Sequence, residues 1–311
     1  MLHPQGPLIT APPGGTLRNT PGYLWSRALG GMAERGTTAE MTFLEHLEEL
    51  RWTLVRSAVA VVVCMVAAFI AKDFVFDRIV LAPKQADFIT YRAFCALGRY
   101  VGAGEALCLS DGTFELQNIS MSGQFFSHLL VSFAAGLVVA FPFVLWQVWL
   151  FLAPGLHASE RGAARGGVAF ASVLFLTGVA FGYFVLAPLS IQFFGTYRVS
   201  DAVTNTIALD SYIAMVASVT LWTGIVFQLP LAIMVLTRLG LVGPAVLRTY
   251  RRHAFVGLLV LSAVLTPPDV VSQVIVAGPL MFLYEGSILL SARTLRRMER
   301  ARTATSGMTA R

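Results

Sequence analysis

Acidic side chains are scarce in this chain, and several stand inside or beside long apolar runs. Glu160 closes the stretch FPFVLWQVWLFLAPGLHASER (Phe141–Arg161), in which an apolar run rich in Trp and Phe meets Ala153-Pro154-Gly155 and stops. Glu45, Glu48 and Glu49 lie in MTFLEHLEELRWTL (Met41–Leu54). There Phe43, Leu47, Leu50 and Leu54 share one helical face, and Thr42 with Glu45 forms a capping-box pattern. Asp269 sits in LTPPDVVSQ and Glu285 in PLMFLYEG. A carboxylate at a membrane surface can take a guanidinium through two parallel, charge-assisted hydrogen bonds. Each acid also has a plainer reading. Glu49 can belong to the solvated face of an amphipathic helix, and Glu160 can pair with Arg161 or Arg165. Glu285 is either an acid snorkelling to the interface or a functional intramembrane group. Nothing in the pattern favours catalysis. His46, His128, His157 and His253 lie on separate segments, without metal-ligand spacing, a Gly-rich phosphate loop or a nucleophile elbow. No enzyme activity, metal or cofactor is expected.

A membrane must position these acids. Hydrophobic residues make up 56% of the chain, charged residues 13%, and the mean hydropathy is +0.70; soluble domains carry roughly 25% charge. No Asp, Glu, Lys or Arg occurs in residues 57–71, 116–159, 166–197, 211–237, 254–268 or 270–284. Three of these gaps exceed the roughly 20 residues a span needs; the first and the last two are shorter and must recruit flanking residues or thin the bilayer. The reading is an all-α polytopic membrane protein with six transmembrane helices at approximately 52–72, 122–150, 166–190, 208–237, 252–266 and 270–291. Six spans put both termini on one side, and that side collects 17 of the 23 Lys and Arg residues. The bias predicts cytoplasmic termini, N-in and C-in. It also accounts for the net charge of +6, so no nucleic-acid partner is inferred.

The expected organisation is a disordered cytoplasmic tail at 1–40, a membrane domain at 41–292 and a basic cytoplasmic tail at 293–311 facing anionic lipid headgroups. A long external loop covers about 73–121. Cys95 and Cys108 lie in that loop, in an oxidising compartment, and are expected to form a disulfide; Cys64 is a packing residue. Pro267 and Pro268 stop one helix and Asp269 caps the next. Gln228 lies mid-helix beside Pro230, which predicts a kink, and Gly178 with Gly182 predicts close helix packing. A small-solute transporter or channel is the alternative class. It needs a continuous polar path, for which the spans offer few polar residues.

The ordered motifs HLEELR (46–51), FPFVLWQVWLFLAPGLHASER, FGYFVLAPLSIQFF (181–194), VFQLPLAI (226–233), LTPPDVVSQ and PLMFLYEG make the chain closely resemble the TatC family, the signal-recognising membrane subunit of the twin-arginine protein translocase. The resemblance covers roughly 43–292. It implies a glove-shaped six-helix bundle in the bacterial inner membrane, with a concave, lipid-facing groove. It further implies binding of twin-arginine signal peptides of folded precursors, assembly with TatA- and TatB-type single-span proteins and with other copies of itself, and export driven by the proton gradient. Residue by residue, it implies that Glu49 and Glu160 contact the two arginines, with Arg51, Phe151 and Pro154 in the same recognition surface. It marks Pro83, Pro142 and Asp269 as structural or functional positions, and Glu285 as the acid of the last helix. Two departures stand out. The fourth-helix position often held by Glu is Gln228, which cannot titrate, and the basic residue often found two positions after Arg51 is Thr53.

Overall fold

The computed structural model describes residues 43–85, 87–100, 102, 115–152, 164–200, 202 and 205–309. The expected tail at 1–40, and Pro154, Glu160 and Cys108, lie outside the described residues. The bundle belongs to the unit running from Glu49 to Arg311.

Helix α1 (Phe43–Ile70) is continuous, so the amphipathic opening segment and the first span form one rod. A π-helical segment (Phe74–Val80), a 3₁₀ turn (Ala82–Lys84), helix α2 (Ile89–Tyr100) and strand β1 (Leu116–Gln117) follow within the long loop. The second span is α3 (Gly123–Leu152), which runs unbroken through Pro142. The third is α4 (Ala164–Phe181), a π-turn (Gly182–Leu186) and α5 (Ala187–Thr196). Strand β2 (Ile207–Ala208) pairs in parallel with β1. The fourth span is α6 (Leu209–Val226) and α7 (Leu229–Arg238), broken at Phe227–Gln228 ahead of Pro230 as the proline predicts. A short α8 (Pro244–Thr249) leads to α9 (Arg251–Leu265) and α10 (Val270–Thr309). Five helical rods are long and apolar enough to cross a bilayer. The sixth span, α9, has only 15 residues, or about 22 Å.

One helix limit departs from the sequence expectation. Helix α10 does not end near 291 but continues to Thr309, so the basic segment is a helical extension of the last span. The extension after residue 291 includes Ala, Arg, Met and Glu, all good helix formers, and contains no Pro and no Gly before Gly307. Helix α1 begins at Phe43, where the capping box at Thr42 and Glu45 predicts, and runs straight into the first span because LEELRWTL contains no breaker.

Small residues set the closest approaches. A Cβ on Gly178 would lie 2.7 Å from Phe227 Cβ, one on Gly182 2.9 Å from Thr220 Cα, and one on Gly224 2.8 Å from Phe175 and Val179. The third and fourth spans therefore meet backbone to backbone, as the G-x-x-x-G pattern predicts. Gly136 likewise admits α1, where a Cβ would sit 2.6 Å from the Met65 backbone nitrogen. One core cluster joins Leu186, Val219, Phe227, Leu258, Val276 and Ile288; a second joins Val75, Val80, Val131, Ile191, Tyr212 and Ile213 beneath the long loop.

The π-helical segment and the π-turn are tied to each other through carbonyls that prolines leave free. Proline has no N–H, so in a helix it strands the carbonyl four residues earlier. Pro188 strands Phe184 O, which accepts the Thr90 hydroxyl. Pro83 strands Ile79 O, which accepts the Tyr183 hydroxyl at 2.6 Å. Tyr212 donates to Val80 O at 3.0 Å and Tyr91 to Pro83 O at 2.8 Å. Three of these hydroxyls, those of Thr90, Tyr183 and Tyr212, bolt the loop elements to the bundle, and that of Tyr91 ties the loop elements to each other.

Candidate functional site

The bundle has two ends. The loop end carries the described residues within 71–122 and 197–208, together with 266–269. The arginine-rich end carries the first turns of α1 after Glu49, the last turn of α3, the start of α4, and the segment from Arg238 to Arg251. Helices α1 and α3 are antiparallel. Gly136 faces Met65, and His128 stacks on Phe69 with ring centroids 3.9 Å apart while its Nε2 lies 3.2 Å from Phe69 O. Continuing that register brings Glu49 level with the final turn of α3, near Leu150 to Leu152. Glu49 and Phe151, both half-buried, are therefore brought to the same depth.

Glu49 Oε2 is shielded from solvent and accepts no hydrogen bond among the described residues. A carboxylate oxygen in that state carries a desolvation cost that a donor would relieve. Arg51 is exposed and lies about 200° further round the helix, on a different face from Glu49. Thr53 is buried.

Two cationic features near this end were not singled out from the sequence. Trp149 is buried, lies against Gly167 and has the Arg238 guanidinium over its ring at 5.4 Å from the centroid. Neither Trp149 Nε1 nor Arg238 Nε has an acceptor among the described residues. Arg251 pairs with Glu285 at 2.7 Å, tying the start of α9 to α10, and the neighbouring Tyr284 hydroxyl donates to Leu247 O at 2.8 Å. Glu285 is thus half of an ion pair. The charge gap before Arg238 marks that residue as the end of a span, but the partner of neither arginine is local in sequence.

The remaining expected residues are dispersed. Gln228 sits at the break between α6 and α7; its Nε2 donates to Ala171 O at 3.1 Å, and its Oε1 is buried without a donor. Asp269 caps α10 through Oδ2, which accepts from Ser272 N and Ser272 Oγ, both at 2.9 Å. Those bonds, the backbone one first, hold its carboxyl below the usual carboxylate range. Pro267 is buried at the turn, Pro268 is exposed, and Pro83 is buried under Tyr91. Cys95 is disulfide-bonded and Cys64 is free. Away from these residues, α3, α4 and α6 line an apolar groove of about 610 Å³. Val131, Val138, Leu176 and Val216 form its walls, and Ile79 and Phe88 of the loop elements close it above. Among the described residues no three His, Cys, Asp or Glu side chains converge as a metal site would require.

Six spans, half-buried carboxylates at one end and an apolar groove between α3, α4 and α6 define a polytopic membrane protein. Residues 45–279 match the family model for the Sec-independent protein translocase protein TatC. The chain is 37% identical over 253 residues to the TatC of Blattabacterium sp. subsp. Periplaneta americana, covering 81% of this chain and 95% of that protein. It is 31% identical over 265 residues to TatCy of Bacillus subtilis, covering 85% and 94%. A crystal structure described as the twin arginine translocase receptor TatC, in the detergent DDM, superposes with a TM-score of 0.62 at 30% identity, covering 79% of this chain and 99% of the other. The chain belongs to the TatC family. It is a multi-pass membrane component of a protein translocase, not an enzyme.

Proposed function

We propose that this protein is the receptor subunit of a twin-arginine translocase, and that Glu49 and Glu160 bind the two arginines of the signal peptide. The observation that carries the reading is Glu49: a half-buried carboxylate with one oxygen shielded and without a donor, level with the end of α3. The loop that starts there carries Glu160 eight residues after Leu152. A guanidinium supplies the donor that Glu49 Oε2 lacks among the described residues, and each charged hydrogen bond at a partly desolvated site contributes roughly 1.5–3 kcal/mol. Arg51, Phe151 and Pro154 complete the proposed recognition surface. The apolar part of the signal peptide lies along the groove walled by α3, α4 and α6.

In this reading the arginine-rich end is cytoplasmic, because the positive charge of the chain concentrates there. The protein resides in the bacterial cytoplasmic membrane and works with TatA- and TatB-type single-span partners and other copies of itself, drawing on the proton gradient. Cys108 is the partner of Cys95, closing the external loop. The test is export of an Arg-Arg precursor by cells carrying Glu49→Ala or Glu160→Ala. Each is expected to lower export at least tenfold with protein levels unchanged. Full export by both variants would remove the assignment.

A further inference from the structure

We propose that one face of the helical extension of α10, formed by Arg293, Arg296, Arg297 and Arg300, binds anionic phospholipid headgroups of the leaflet it emerges from. The inference goes beyond the receptor reading and needs only the membrane placement. At about 100° per residue these four side chains fall within an arc of roughly 100°. All four are exposed, and none makes an ion pair among the described residues. Ser291, fully buried in the same turns, lies on the opposite side of the helix, and buried Thr294 falls outside the arginine arc. Ser291 Oγ and Thr237 Oγ1 are 2.9 Å apart, which fixes that side against α7 and turns the arginines outward.

Depth selects the occupant. The roughly 30 Å hydrocarbon core takes about 20 residues of helix. Counted from Val270, it ends near Leu290. Arg293, Arg296 and Arg297 then lie within about two turns of that boundary, at the level of the headgroup phosphates, and Arg300 lies one turn above Arg296. A disordered basic tail would spread the same charges over all directions. A helix fixes them on one face, where several guanidiniums can take neighbouring phosphates at once. Glu299 is the one acid between Arg293 and Arg300, and it falls outside the arginine arc.

The test uses the purified full-length protein in detergent, with retained lipid counted by native mass spectrometry after addition of phosphatidylglycerol, phosphatidylcholine or inorganic phosphate. The wild type is expected to retain phosphatidylglycerol about tenfold over phosphatidylcholine, with the preference falling steeply between low and high salt. The quadruple variant R293Q/R296Q/R297Q/R300Q is expected to bring the two lipids near parity, and the corresponding quadruple Lys variant to keep most of the preference. If the Gln variant fails to fold, the salt dependence of the wild type decides. Equal retention of both lipids by the wild type, or a salt-insensitive preference, overturns the proposal. So does an unchanged preference in a folded Gln variant. Displacement of the lipid by millimolar phosphate would assign the face to free phosphate, and capture of polyglutamate without lipid preference would assign it to an acidic protein partner; either result also overturns it.

Discussion

Asp269 shows how one side chain settles a local boundary. Its carboxylate takes two donors from Ser272 and starts α10 directly after Pro267-Pro268. Because those bonds hold its folded-state carboxyl below the ordinary value, the stability it contributes is present above pH of about 4 and is lost as pH falls through the lowered value. Asp269→Ala is expected to cost about 1 kcal/mol in thermal unfolding near neutral pH, and less at pH 3. Tyr91 behaves in the opposite sense. Burial pushes its hydroxyl up to about 12, so between pH 10 and 12 the unfolded chain releases the proton first and stability falls as pH rises. Removing this residue should delete one high-pH phenolate from an ultraviolet titration. Tyr183→Phe leaves Ile79 O without its 2.6 Å donor, and about 1 kcal/mol of destabilisation is expected from unfolding curves. The stranded carbonyls were legible in the sequence, since Pro83 and Pro188 announce them. Their donors were not, because Tyr183 lies 104 positions from Ile79 and only the fold brings them together.

At the scale of elements, charge-free runs located the six spans because the bilayer forces an apolar exterior that no other constraint relaxes. The break at Gln228 and the close approach at Gly178 and Gly182 were also legible, since Pro and Gly act through the backbone itself. The extension of α10 was not, because leaving the bilayer ends the apolar pattern without ending the helix. Gly178→Leu should place side-chain atoms where Phe227 already stands. It is expected to lower stability by about 1–3 kcal/mol, visible as a reduced melting temperature in detergent. Gln228→Glu tests the break. Its protonated form can still donate to Ala171 O as Nε2 does, and its ionised form cannot. The variant is expected to approach wild-type stability at acidic pH and to lose it at alkaline pH, while the parent shows no such difference from this site.

Across the whole molecule, the proposed function rests on unlike parts: acids at one end, an apolar groove between α3, α4 and α6, and a braced set of loop elements at the other end. For the proposed pair of arginine acceptors, the fold supplies the depth of Glu49 through the antiparallel approach of α1 and α3. Sequence motifs alone carry Glu160. The ion pair of Arg251 with Glu285 anchors α9 to α10 and explains an intramembrane acid without giving it a ligand. The account stands on guanidinium recognition at Glu49, and site-directed photo-crosslinking tests it most directly. With a crosslinker replacing Phe151, which shares the depth of Glu49, a signal peptide bearing Arg-Arg should form an adduct. The yield should drop at least tenfold when the peptide carries Gln-Gln or when Glu49 and Glu160 are both changed to Gln. Equal yields from all three combinations would contradict it.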